Sequence, residues 1–183
     1  MMQSEDDPRG AAEAGSDAAE RAVADLLRAL GQDPEGERLR GTPARVASTL
    51  RDALHRPELP PVSFIERAGS RDLITVSDIP FHALCEHHLL PFRGVVHIGY
   101  LPDGHIVGVS LPVRVVDHFS RGLQLQERMT DEIADWLFSH LQPRGVGVVV
   151  QAEHLCMSFR GIGDRTTSLR TSAFRGEVTS LER

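Results

Sequence analysis

The chain has 183 residues, 40% of them hydrophobic and 25% charged, with a formal net charge of −6 and an isoelectric point near 5.8. That apolar share is enough for a real core, and the acidic balance excludes a protein that works by coating nucleic-acid phosphates, which needs a basic face. No stretch approaches the roughly 18 consecutive apolar residues of a membrane span, and the acidic start has no apolar run behind it, so the expectation is a soluble cytoplasmic protein bound to neither nucleic acid nor membrane.

Residues 1–16 are rich in Ala, Gly, Asp and Glu, with no large apolar residue after Met2. Such a stretch buries too little surface to offset its ordering entropy, and it reads as a disordered tail. From Asp17 to Glu20 the pattern is that of a capping box, and Ala19, Val23, Leu26, Leu27 and Leu30 share one helical face before Gly31. Thr42 and Pro43 open a second helix, whose stripe of Val46, Leu50 and Leu54 runs out at Pro57, so that residues 17–56 form an N-terminal helical region. Residues 57–71, with prolines at 57, 60 and 61, read as a connecting loop.

Residues 72–183 are richer in β-branched side chains. Residues 73–79 alternate in the manner of a strand, and residues 94–101 and 105–109 flank a Pro102-Asp103-Gly104 turn that predicts an antiparallel hairpin. One helix is expected from Pro112 to about Arg121. A second places Met129, Ile133, Trp136, Leu137 and Leu141 on one face and stops at Pro143 and Gly145. Residues 146–159 read as one extended strand and residues 171–176 as a last short one. Helices and antiparallel strands are thus segregated along the chain, which makes the class α+β.

The chemistry concentrates in two short segments. Cys85 and His88, three apart, converge on one ion if their segment forms a helical turn, with His87 pointing elsewhere. His154 and Cys156, two apart on a strand, face the same way. Both cysteines of a reducing compartment point away from a disulfide and toward metal or burial. Spacing leaves Cys85, His87, His88, His154 and Cys156 as an unsorted pool, with a buried core Cys156 and a solvated histidine loop as the plain alternatives. Nearby, Arg114, Gln126, Glu127, Arg128, Arg160 and Arg165 are candidates to receive an anion or a polar heterocycle, against the alternative of a solvated helix face and strand-end charges.

Five ordered motifs carry a resemblance. Cys85-Glu86-His87-His88 with Leu89-Leu90-Pro91, the Gln126-Glu127-Arg128-Met129-Thr130 segment, and the run from Glu153 to Gly161 resemble GTP cyclohydrolase I, as do the segments around residues 31–34 with 40–46 and 171–176. The resemblance covers nearly everything but the tail. It implies the tunnelling fold for residues 72–183: an antiparallel sheet with helices on one face and the helical pair at its N-terminus. Sheets of neighbouring subunits then join into a barrel, and two pentamers stack as a homodecamer with active sites between subunits.

Carried onto this chain, the resemblance makes Cys85, His88 and Cys156 the ligands of a catalytic zinc, with a fourth position left for water. The implied reaction opens the imidazole ring of GTP at C8, releases formate and closes a pterin ring to give 7,8-dihydroneopterin triphosphate. His87 becomes the general acid toward purine N7, His154 the second histidine near the ribose, and Ser110 the hydroxyl of the later ribose rearrangement. Gln126 and Glu127 become the guanine anchor, and Arg114, Arg160 and Arg165 the phosphate contacts.

The chain departs from the family pattern where phosphate should bind. A lysine expected after Ser110 is Leu111, and an Arg-Lys pair expected after Ile162 is Gly163-Asp164. Each lost charge-assisted bond is worth roughly 1.5–3 kcal/mol. The departures motivate an alternative, a paralogous hydrolase that opens a less phosphorylated or modified guanine substrate; a non-catalytic zinc-binding assembly is the third reading.

Overall fold

The computed structural model describes the backbone of residues 8–66, 72–159 and 167–181, with side chains from Ala18 onward. The chain divides into two compact units, Met1–Leu54 and His55–Arg183.

In the first unit α1 (Pro8–Ala29) packs against α2 (Thr42–Leu54). Helix α1 starts at Pro8, within the segment 1–16 expected as a tail, of which residues 1–7 lie outside the described residues. A burial argument overlooks what backbone propensity does alone: Pro8 suits the first helical position, and Ala11, Ala12 and Ala14 are the strongest helix formers. The helix ends in a Schellman motif, with the Gln32 N–H donating to Leu27 O at 2.9 Å and the Gly31 N–H to Arg28 O at 2.9 Å. Gly31 sits at φ 75°, a left-handed conformation open to glycine without a Cβ penalty.

The second unit contains, in order, β1 (Phe64–Glu66), β2 (Ile74–Cys85), β3 (Pro91–Leu101), β4 (His105–Val107), α3 (Ser110–Ser120), β5 (Leu123–Gln124), α4 (Gln126–Leu141), β6 (Gly145–His154), α5 (Leu155–Ser158) and β7 (Leu169–Gly176). Five strands form one sheet in the order β5-β2-β3-β6-β7, antiparallel except for the short parallel contact of β5 with β2. The α+β class stands. Alternate residues of the long strands, among them Phe81, Phe92, Val96, Ile98, Val148 and Val150, form one buried cluster with Val115 of α3 and Met129, Ile133 and Leu137 of α4. The odd-numbered residues of β3 and β6, including His97 and Gln151, face the other way beside Thr75, Ser77 and Arg170.

In β2 the inward parity changes from Ile74 and Val76 to Ile79, Phe81 and Ala83, because a bulge with Asp78 at φ 58° inserts a residue between the two registers. Helix α4 stops at Gln142, at φ 47°, followed by Pro143, which cannot continue a helix. Arg175 of β7 clamps α4 from the sheet side, donating to Asp135 at 2.6 Å and Asp131 at 2.9 Å.

Three expectations change. The Pro102-Asp103-Gly104 turn forms, with Gly104 at φ 78°, but no hairpin follows, because β2 and β6 already occupy both edges of β3. Strand β4 pairs instead with β1, Phe64 opposite Val107. The expected loop of residues 57–71 therefore contains a strand; its residues 67–71 lie outside the described residues. The single strand of residues 146–159 breaks at His154 into the helical turn α5, closed by the Phe159 N–H donating to Leu155 O at 2.9 Å.

At Gly94 the strands β3 and β6 come too close for a side chain. A Cβ there would lie 1.9 Å from Gln151 O and 2.7 Å from the Ala152 Cα, both backbone atoms, whereas one at Gly108 meets nothing nearer than 4.0 Å. Gly94→Ala is expected to lower the unfolding free energy by about 3 kcal/mol or more and Gly108→Ala by less than about 1 kcal/mol, compared by urea denaturation.

Candidate metal centre and active site

Cys85 is the last residue of β2, and the chain reverses directly after it. Its N–H donates to Leu90 O at 2.9 Å while its carbonyl accepts from the N–H groups of His88 at 3.3 Å and Leu89 at 2.9 Å. That is the helical turn the Cys-Glu-His-His spacing requires. Leu89 completes it at φ 55°, a left-handed conformation that costs a branched residue roughly 1–2 kcal/mol. The turn brings His88 Nδ1 to 4.0 Å from Cys85 Sγ.

The third member arrives from another strand. The switch from β6 to α5 turns Cys156 toward the β2–β3 turn, and the ligand atoms of Cys85, His88 and Cys156 lie within 4.8 Å of one another. A period-two strand argument had put His154 and Cys156 on a common face; the helical turn, not strand alternation, is what directs Cys156. Tetrahedral zinc with Zn–S near 2.3 Å and Zn–N near 2.0 Å sets ligand atoms roughly 3.5–3.8 Å apart, so these donors need only small side-chain adjustments. Two sulfurs and one imidazole suit a borderline ion, and Cys85 is buried while His88 is exposed, leaving the cluster open on one side.

Glu86, between the two ligands of the turn, ties it to the helical layer. Its N–H donates to Gln124 O at 3.1 Å, and its carboxylate accepts from Arg128 at 2.7 Å. Arg128 also donates to Gln124 Oε1 at 2.9 Å and Leu123 O at 3.0 Å. Gln124, fully buried, passes its own amide hydrogens to Phe119 O at 2.9 Å and Glu132 at 2.8 Å. Arg128 was read from the sequence as an anion receiver; it is spoken for by Glu86. The signal available was Glu86 itself, a charge lodged inside a ligand motif.

His154 sits at the end of β6, opposite Phe92 in the β3–β6 register, and the two rings stack with centroids 4.7 Å apart and planes 3° from parallel. Burial holds its imidazole below the ordinary histidine range, outweighing the Glu127 carboxylate, which pulls the other way. His154 Nε2 lies 2.8 Å from Gln126 Oε1. Phe92 went unnoticed in the sequence because only strand register pairs it with His154.

Gln126 and Glu127 open α4 in opposite directions. Gln126 is 1% exposed, and its amide nitrogen reaches Val150 O, Leu169 O and Thr171 Oγ1 at 3.1–3.2 Å. Glu127 is exposed. His87 is exposed too, its ring 6.2 Å from that of His88. Ser110 and Arg114 line a separate cavity of about 240 Å³ with Pro60, Pro61, Ser63, Gly108 and Leu111, which shares no lining residue with the cysteine–histidine cluster. Arg160 and Arg165, and with them Gly163, lie outside the described residues.

Comparison with known proteins places the chain among relatives of one kind. A family model described as GTP cyclohydrolase I matches residues 19–183. Among curated relatives, the protein named GTP cyclohydrolase 1 of Dehalococcoides mccartyi is 44% identical over 164 residues, covering 87% of this chain and 87% of that one. Those of the same name from Aquifex aeolicus and Streptomyces coelicolor are each 47% identical, over 156 residues (85% of each chain) and over 168 residues (89% of this chain, 84% of that one).

If Arg128 and Glu86 hold the turn as a unit, Arg128→Ala and Glu86→Gln should each weaken zinc binding about tenfold or more in competition with a chromophoric chelator. Cys156→Ser should abolish tight binding, and Arg170→Ala, on the other face of the sheet, should leave it unchanged.

Proposed function

The chain belongs to the GTP cyclohydrolase I family, and from that membership we propose that it opens the imidazole ring of GTP at C8, releases formate and forms 7,8-dihydroneopterin triphosphate. The observation that carries the proposal is the convergence of Cys85, His88 and Cys156, with donor atoms within 4.8 Å, beside the histidines His87 and His154.

Cys85, His88 and Cys156 would hold zinc, a Lewis acid that makes water nucleophilic near neutral pH when bound by three protein ligands. His87, exposed next to a ligand, gives a proton to purine N7 as the C8–N bond yields; a histidine suits this because it exchanges protons near neutrality. The exposed Glu127 carboxylate accepts from guanine N–H groups, which distinguishes guanine from adenine. His154 serves proton transfer at the ribose, and Ser110 its later rearrangement.

Ser110 and Arg114 lie in a cavity apart from the cysteine–histidine cluster, which supports a site completed by a neighbouring copy of the chain. We read the assembly as the tunnelling-fold barrel, two pentamers forming a homodecamer, with Arg160 and Arg165 as further phosphate contacts. No helix among the described residues is long and apolar enough to cross a membrane; a cytoplasmic location is part of this proposal.

One observation favours a second reading, a guanine substrate with fewer phosphates or a modified base. Leu111 is 6% exposed and part of the buried cluster, and Arg114 is the one cation among the described residues that line the cavity beside it.

Zinc-loaded protein given GTP should release formate and a pterin that fluoresces on oxidation; fully metallated protein that releases none from GTP sinks the first reading. Across guanine, guanosine, GMP, GDP and GTP, kcat/KM rising with phosphate number supports the first reading, and a maximum at a lower phosphate number supports the second. Leu111→Lys should then raise kcat/KM for GTP about tenfold while leaving guanosine unchanged.

A further inference from the structure

The hydrogen bonds around Gln126 form a chain in which every donor can be assigned. The Thr130 hydroxyl donates to Gln126 O at 2.7 Å, a backbone carbonyl that can only accept. Its single hydrogen is thereby used, so the 2.7 Å contact between Thr130 Oγ1 and Thr171 Oγ1 must be a donation from Thr171. Thr171 then has no hydrogen left for Gln126 and can only accept from it, at 3.2 Å. Val150 O and Leu169 O, at 3.2 and 3.1 Å from the same amide atom, are acceptors as well.

Three acceptors around one atom of the Gln126 amide require that atom to be the nitrogen, which fixes the oxygen on the opposite side. That oxygen faces His154 Nε2 at 2.8 Å, and an oxygen without hydrogens requires the ring nitrogen to be the donor. The hydrogen of a neutral His154 therefore resides on Nε2. Nδ1 is left as the ring's basic atom, with no hydrogen bond to it among the described residues, while the parallel stack on Phe92 holds the ring plane.

We propose that Gln126 is a positioning residue for His154, fixing its Nε2–H tautomer and ring orientation so that Nδ1 is the nitrogen presented without a hydrogen. This rests on His154 acting as in the proposed function, and it changes the role expected of Gln126. A side chain 1% exposed, with oxygen and nitrogen both engaged, has no group left for a guanine edge; that contact falls to Glu127 alone. The imidazole needs such a device because a ring free to choose its tautomer presents the wrong nitrogen for part of the time. Two threonines, three backbone carbonyls and an amide remove the choice.

The test reads the tautomer directly. Long-range nitrogen–proton correlation spectra of zinc-loaded, full-length protein labelled with 15N-histidine, with His154 assigned by its loss in His154→Asn, should show Nε2 as the protonated nitrogen and Nδ1 as the bare one. Nδ1 protonated, or an even mixture, overturns the proposal, and this measurement needs no turnover, so its failure is distinct from failure of the GTP assignment. Gln126→Met, which keeps length and removes the amide, should give a tautomer mixture and a kcat lowered about 100-fold with KM within about threefold. A raised KM with kcat retained would mark Gln126 as a guanine contact and overturn the positioning role. Should Gln126→Met not fold, the wild-type spectrum alone decides.

Discussion

The side-chain amide of Gln126 joins the first turn of α4 to β6 through Val150 O, to β7 through Leu169 O and Thr171, and to the candidate site through His154. A buried amide left without partners costs about 1–3 kcal/mol, and the partners of Gln126 lie on two strands and a histidine. The two strands and the helix must keep the spacing that satisfies it. Helix packing and the placement of His154 are thus one constraint, met by one side chain.

A second tie runs in parallel to the first. Glu86 links the turn that carries Cys85 and His88 to Arg128, one helical turn from Gln124 and two residues beyond Gln126. The opening of α4 therefore supports both halves of the candidate site, the Cys85–His88 turn through Arg128 and His154 through Gln126. Between them Glu127 points out to solvent. Three consecutive residues divide three tasks according to the direction in which a helix projects them.

The elements were legible where their signal is local. The stripe of Met129, Ile133, Leu137 and Leu141 marks α4, Pro143 its end, and Thr42 with Pro43 the start of α2. The Cys-Glu-His-His spacing correctly implies a turn that points a thiol and an imidazole the same way. Local signals failed where a neighbour decided. The Pro102-Asp103-Gly104 turn has the chemistry of a hairpin, but β3 had no free edge. Residues 146–159 have strand composition throughout, yet the strand ends at His154, where pairing with β3 ends at Phe92.

From the sequence alone came the donor set, two thiols and an imidazole in family-like motifs, because the identity of ligating atoms is a property of residue types and their order. That an apolar Leu111 stands where the resemblance leads one to expect a lysine was readable for the same reason. Only the tertiary structure decided which donors meet, since Cys156 reaches Cys85 through a strand that turns into a helix 71 residues later along the chain. It alone also assigned the work of Gln126, Arg128 and Phe92: a hydrogen bond or a ring stack depends on distances of a few ångströms between segments that the linear sequence keeps far apart.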